Sequence, residues 1–310
     1  MSYTIGIDVG GTKVLGGVVD PDGKVLTKSR RDTPREGGSA LTQTIADVAL
    51  ELADQYPVTA VGLSAAGFVS SDRKTMLATP NIAGWNGVQL DAELTALINL
   101  PVVLENDANA AAYGEVRAGA AKGYQDVLMV TLGTGVGTGF IINNQLVRGA
   151  HYSAGEGGHI AIATTKTRLC TCGRWDCWEA YASGTGFAKT AQLLLEATPN
   201  AKSSLIMQSH KPINKINSYD VISALQQADN IAEQVVEQWH QDIAIGLGSL
   251  LNVLDSEVVV IGGGMMQVVD FNKLTELTQE RAMYRPIKIV PAVLENKAGL
   301  VGAAYLSLER

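Results

Sequence analysis

Cysteine is scarce in this chain, and so is positive charge. Only three cysteines occur in 310 residues, so no even disulfide framework can close within one copy. Lysine and arginine number 24 against 31 acidic residues, a formal net charge of -7. That balance leaves no basic footprint for nucleic acid and no polybasic patch for an anionic membrane; a small-molecule partner fits better. The opening MSYTIGIDVGG has no cationic segment followed by an apolar one, so no secretory signal is expected and cytoplasmic residence is the default. The longest uncharged stretch, Val127 to Leu146, carries four glycines, several threonines and Asn143-Asn144, which suit strands and turns rather than a spanning helix. No GxxxxGK followed by Ser or Thr is present, which excludes a P-loop.

With 46% hydrophobic and 18% charged residues the chain is long enough for two domains with substantial cores, and disorder or a fibre is excluded. Strands alternate with helices. Thr4 to Ile7 and Leu15 to Val19 read as strands around a glycine turn, and Asp20-Pro21-Asp22-Gly23 is turn chemistry before a third strand, Lys24 to Ser29. Leu41, Ile45, Val48 and Leu52 recur at helical spacing within Ser39 to Ala53, ahead of a strand over Val58 to Leu63. Leu90 to Ile98 reads as a helix, Pro101 to Leu104 as a buried strand, and Ala108 to Arg117 as a helix opening directly after it. A loop-rich region then separates the middle of the chain from a long helix over Asp229 to Asp255, a strand over Val258 to Ile261 and a terminal helix over Ala298 to Leu308. TIGIDVGGTKVLGGVV and VLMVTLGTGVGTGFII share one layout of strand, Gly/Thr loop and strand, as two halves related by duplication would. The Ala/Gly-rich stretch Gly119 to Gly123 suits a domain boundary. The expected division is residues 1–120 plus 297–310 in a smaller α/β domain and 121–296 in a larger one.

Converging backbone N–H groups hold phosphate oxygens best, and glycine permits the dihedrals and the close approach. Gly10-Gly11-Thr12 and Gly133-Thr134-Gly135 each offer that, plus a hydroxyl. Tight hairpins account for either loop alone, but two matched loops favour phosphate. A Rossmann fingerprint at Gly133 to Gly139 fails on context, because Phe140-Ile141-Ile142-Asn143-Asn144 reads as strand and turn where a helix should open. In Glu105-Asn106-Asp107-Ala108-Asn109 a carboxylate at a strand's C-terminal end can accept a hydroxyl proton while a neighbouring amide fixes the alcohol, roles that suit Asp107 and Asn106. The alternative is that one of the two merely caps the following helix. Cys170, Cys172 and Cys177, with His159 upstream, match a closed tetrahedral Zn²⁺ shell that leaves no position open for catalytic water; reduced structural thiols are the bland alternative. His151, His210 and His240 share no such spacing and read as surface or packing residues.

Asp8-Val9-Gly10-Gly11-Thr12-Lys13, the Glu105 to Asn109 run, Glu156-Gly157-Gly158-His159 and the CxCGxxxCxE run, in this order across nearly the whole chain, resemble the ROK family of sugar kinases and repressors. Within it, Ala65-Ala66-Gly67-Phe68-Val69, Pro80-Asn81-Ile82 and Cys177 to Gly184 look most similar to bacterial glucokinases. The resemblance implies an α/β protein with the two-domain actin-like ATPase (ribonuclease H-like) fold and an inter-domain cleft. It implies ATP-dependent phosphorylation of the 6-hydroxyl of glucose, or of a related hexose, with Asp107 as general base. Asn106, Glu156, His159 and Glu179 match sugar-binding positions, and Gly67 and Asn81 line the same pocket. Gly10, Gly11, Thr12 and Lys13 match one phosphate loop and Gly133, Thr134 and Gly135 the other; Asp8 lies near Mg²⁺, and Gly262, Gly263 and Gly264 match an adenosine-side loop. On this resemblance His159 would touch both sugar and a structural Zn²⁺. Many members have glycine where Asp176 stands, which puts the local turn in question. A repressor needs a DNA-binding module ahead of the Asp8 loop, and only seven residues precede it here. An N-acetylmannosamine or N-acetylglucosamine kinase, a fructo-, manno- or polyphosphate-dependent kinase, and a non-catalytic sugar sensor are the rival readings. The family commonly forms dimers or tetramers, and a homodimer is the expectation.

Overall fold

The computed structural model describes residues 2–79, 82–207, 211–283 and 286–309. The strands are β1 (Tyr3–Val9), β2 (Lys13–Val19), β3 (Val25–Asp32), β4 (Val58–Ala65), β5 (Phe68–Val69), β6 (Met76–Ala78), β7 (Val102–Asn106), β8 (Val127–Leu132), β9 (Val136–Ile142), β10 (Gln145–Leu146), β11 (Val258–Gly262) and β12 (Ile289–Pro291). The α-helices are α1 (Gly38–Ala53), α2 (Leu90–Ile98), α3 (Asp107–Ala118), α4 (Glu179–Ala182), α5 (Gly184–Ala197), α6 (Ser204–Met207), α7 (Ser218–Leu225), α8 (Asn230–Leu254), α9 (Phe271–Gln279) and α10 (Ala298–Leu306). Each strand and helix expected from the sequence pattern forms. The loop-rich region also holds α5, whose buried Phe187, Ala188, Ala191 and Leu195 follow a helical spacing behind the N-cap Ser183. Glycines at 184 and 186 in its first turn mask that signal, because glycine disfavours helix.

The chain divides into two compact units, Met1–Met129, Thr138–Gly155 and Ala292–Arg310 forming one, and Val130–Gly137 with Glu156–Pro291 the other. One five-stranded sheet has the order β3-β2-β1-β4-β7 and the second the order β10-β9-β8-β11-β12. The first is antiparallel across β3-β2-β1 and parallel across β1-β4-β7. The second has a matching strand order, with β9 and β10 antiparallel and β11 and β12 parallel. Two meanders, each followed by parallel strands, accord with the two similar halves of the sequence.

In the first unit, residues of β1 alternate between faces. Ile5 and Ile7 join Leu41, Ile45, Val48 and Leu52 of α1 in a fully buried cluster, each such side chain contributing roughly 1.5–3 kcal/mol. The other face is covered by α10, an almost wholly buried helix lying against β1, β4 and α3. Gly302 makes that packing possible: a Cβ there would stand 1.7 Å from the Ala110 carbonyl oxygen of α3, so the two helices approach backbone to backbone. In the second unit, Phe187 of α5 and Trp239 of α8 meet edge to face at 5.3 Å. Asp229 caps α8 by accepting from Ile231 N and Ala232 N. His240 is a packing residue, as expected: its Nδ1 lies 2.8 Å from the Val236 carbonyl and its Nε2 accepts from Asp270 N. His151 is exposed, and His210 lies outside the described residues. No helix among the described residues is long and apolar enough to cross a membrane.

Candidate active site

In the first unit, strands β1, β4 and β7 end side by side and carry the functional side chains at their C-terminal ends. Asp8 lies near the end of β1, paired in register with Ser64 of β4, whose hydroxyl donates to Asp8 Oδ1 at 3.0 Å. Gly299, in the first turn of α10, faces the same carboxylate. Gly10, Gly11 and Thr12 form the turn into β2, with Lys13 opening that strand. The turn is closed by Gly10 N donating to Lys13 O at 2.9 Å and pinned by Thr33, which donates from its hydroxyl to Gly10 O and from its backbone to Thr12 O.

Asn106 ends β7 and caps α3. Its Oδ1 accepts from Ala108 N at 2.9 Å and Asn109 N at 3.2 Å, while its Nδ2 donates to Gly67 O at 3.2 Å. Two predicted sugar-binding residues are thereby brought together. Gly67 has φ 133°, and a Cβ would stand 2.3 Å from Ala78 O, so the residue type is required. Asp107 is the first residue of α3, and its Oδ1 accepts only from Ala108 N among the described residues. Asp107 is an exposed residue, yet the protein around its carboxylate raises its proton affinity above the usual carboxylate range. Asp8 is pushed up to about 6, first by burial and then by the Asp107 charge, with Ser64 and Lys13 opposing. Asn81 lies outside the described residues.

Behind these residues sits a buried ionic centre that the sequence reading missed. Glu105 accepts from Asn106 N and Asn109 Nδ2 through Oε1 and from Arg148 Nε, at 2.8 Å, through Oε2. Arg73 lies 3.7 Å from the same oxygen and donates to the Leu306 and Glu309 carbonyls, tying the chain end to β7. Only the Glu105 half of this centre belongs to a motif; Arg73 and Arg148 join it from distant turns.

In the second unit, Gly133, Thr134 and Gly135 link β8 to β9, with Gly133 N donating to Gly135 O. Glu179, the first residue of α4, reaches this loop: its Oε2 accepts from Val136 N at 3.0 Å, in space that a Cβ on Gly135 would fill. Its Oε1 accepts from Thr171 Oγ1 at 3.1 Å and Cys170 Sγ at 3.3 Å, so one carboxylate links the phosphate loop to the cysteine loop. Gly262 ends β11, Gly263 turns with φ 90°, and Gly264 is exposed.

The ligand atoms of His159, Cys170, Cys172 and Cys177 all lie within 4.8 Å of one another. Bonds of about 2.3 Å at tetrahedral angles put sulfur ligands about 3.8 Å apart. Cys172 Sγ and Cys177 Sγ stand 3.6 Å apart and Cys170 Sγ and His159 Nδ1 3.7 Å, so the residues fit Zn²⁺. All three thiols are free of disulfides. Because Nδ1 faces the thiols, His159 Nε2 is left toward Glu156, 3.8 Å away. Burial pushes Cys170 up to about 12. Burial acts the same way on Cys172, but hydrogen bonding by Arg174 and the neighbouring thiols brings it down to about 6.

Asp176 occupies the left-handed region, φ 58°, a conformation open to glycine and to aspartate alike, so the turn forms with aspartate in place. Hydrogen bonding, first from Arg168 N, holds its carboxyl below the usual range.

The ROK family model matches residues 4–310. A glucokinase of Streptomyces coelicolor is 36% identical across 100% of this chain and 98% of its own. An N-acetyl-D-glucosamine kinase of Citrobacter koseri is 31% identical across 98% of each chain. A crystal structure of a ROK family glucokinase from Streptomyces griseus, in complex with glucose and AMPPNP, covers 100% of both chains with 35% identity and a TM-score of 0.83. The α/β architecture is the actin-like ATPase fold that the motifs implied. By its fold, and by a match that runs through every motif described above, this chain belongs to the ROK family.

Proposed function

We propose that the chain phosphorylates the 6-hydroxyl of glucose at the expense of ATP, with Asp107 as general base. The observation that carries this reading is the state of Asp107. It opens a helix at the C-terminal end of a parallel strand, keeps one oxygen free of protein hydrogen bonds among the described residues, and has a raised proton affinity. A base so placed can take the alcohol proton as the oxygen attacks the γ-phosphorus in line. Asn106 and Gly67 support the alcohol beside it. Glu156, His159 and Glu179 hold ring hydroxyls, His159 through the Nε2 that its ligand geometry leaves free. The N–H groups of Gly10 to Lys13 and of Gly133 to Gly135 receive the phosphates, with Gly262 to Gly264 on the adenosine side. The similarity to a glucokinase crystallised with glucose and AMPPNP supports both the donor and the sugar.

His159, Cys170, Cys172 and Cys177 would hold a Zn²⁺ that shapes the sugar loop and takes no part in bond making, since four protein ligands close its shell. Asp8 would hold Mg²⁺, which would neutralise charge on the transferring phosphate; a buried carboxylate that feels the Asp107 charge as well suits a hard cation.

The test is ADP release with ATP and Mg²⁺ against glucose, mannose, fructose, N-acetylglucosamine and N-acetylmannosamine, with a sugar-free blank. Selectivity for glucose is expected. Selectivity for an N-acetyl sugar, which the Citrobacter relative makes the second reading, keeps the mechanism and overturns the substrate. Silence with every sugar, repeated with polyphosphate as donor, overturns the kinase.

A further inference from the structure

The cysteine loop is braced by a residue that is not one of its ligands. Asp176 is 1% exposed. Its Oδ1 accepts three hydrogen bonds, from Thr167 N at 3.0 Å, Arg168 N at 2.9 Å and the Tyr181 hydroxyl at 2.7 Å. Its backbone pairs in two directions, accepting from Ile162 N and donating to Arg168 O. One residue thus joins the segment that follows His159, the segment that enters Cys170, and the helix that begins at Glu179. Arg168 completes the brace. Its guanidinium donates to the Ala180 and Gly186 carbonyls and to Thr190 Oγ1, and lies 4.4 Å from the centre of the Tyr181 ring.

We infer that Asp176 is a positioning residue, cross-bracing the loop so that Glu179 and the four Cys/His ligands keep their mutual geometry whether or not metal is bound. Its two structural demands are separable. The left-handed backbone is met by glycine or asparagine without appreciable strain, whereas the three acceptor contacts need a carbonyl or carboxylate oxygen at Oδ1. Asp176→Gly therefore keeps the turn and removes the brace. Asp176→Asn keeps the turn and the three contacts, which all run through Oδ1, and places an amide nitrogen where the buried, unpaired Oδ2 lies. The inference rests on the sugar-kinase reading for Glu179 and on the chain's own contacts for the metal ligands.

The experiment compares the wild type, Asp176→Gly and Asp176→Asn in two assays: release of bound zinc to a chromogenic chelator, and steady-state kinetics in glucose. Asp176→Gly should release zinc about ten-fold faster or more and raise the glucose KM about ten-fold, with kcat at saturating glucose changed less than about three-fold. Asp176→Asn should restore both values to within about three-fold of wild type. Wild-type zinc release and KM in Asp176→Gly overturn the inference; so does an Asp176→Asn variant as impaired as Asp176→Gly, or a fall in kcat at unchanged KM. If the wild type phosphorylates no sugar, the kinase reading has failed, and zinc release with its rescue by asparagine still decides the brace.

Discussion

Asp8 has its proton affinity raised from the ordinary 3.8 to about 6, by burial first and by Asp107 second. An ionised Asp8 therefore opposes folding of the unliganded protein. A native pKa above the unfolded one means the native state binds the extra proton, so this penalty is fully present above about pH 7 and fades as pH falls through 6 toward 4. At about 1.4 kcal/mol per unit, a rise of about two units amounts to about 3 kcal/mol at pH 7, about half that at pH 5 and well under 1 kcal/mol at pH 4. Asp8→Asn keeps an oxygen to accept from Ser64 and removes the charge. Without substrates and with a chelator present, the variant should gain about 3 kcal/mol at pH 7.5, which for a chain of this size raises Tm by about 5 °C. Urea and thermal unfolding from pH 4 to 8 would read the difference against wild type. A gap that is absent at pH 7.5, or that stays constant down to pH 5, would refute the reasoning. Phosphoryl transfer should move the other way, because the charge that costs stability is the one proposed to hold Mg²⁺.

Asp107→Asn should lower kcat by about 10²–10⁴-fold with glucose binding retained in calorimetry, since it preserves shape and removes only the base; unchanged turnover would remove Asp107 from that role. Gly302→Ala puts a methyl where Ala110 O stands, so α3 and α10 must separate. About 1–3 kcal/mol or more should be lost, read as a lower urea midpoint, and an unaltered midpoint would show the helix contact to be soft.

What the sequence makes legible here is whatever is local in it. Asp8 and its glycine turn, the Glu105 to Asn109 run and the three cysteines each concentrate their chemistry within a few residues, so spacing alone exposes them. Glu105 shows the limit. Its partners Arg73 and Arg148 come from turns far along the chain, and neither belongs to a motif; only the folded sheet makes the three one buried centre. Asp176 is an intermediate case. Its place in the cysteine run is visible, but its φ of 58° and its bond to Tyr181 are products of the loop's closure. Helix α5 was masked for a different reason, since two glycines in its first turn hide a propensity that packing of Phe187 and Leu195 supplies.

The junction of β7 and α3 shows why capping and chemistry are not rival readings of one motif. A helix opening after a strand leaves N–H groups that need an acceptor, and either Asn106 or Asp107 has the group to serve. The structure gives the task to Asn106, whose Oδ1 takes Ala108 N and Asn109 N. Had Asp107 been the cap, two or three N–H bonds would have stabilised its charged form and lowered its proton affinity, the wrong direction for a base. With Asn106 as cap, Asp107 accepts one bond from another residue's backbone through Oδ1 among the described residues, too little to offset the burial that raises its proton affinity. A neutral amide ahead of the carboxylate is therefore what lets the same helix start be both stable and basic.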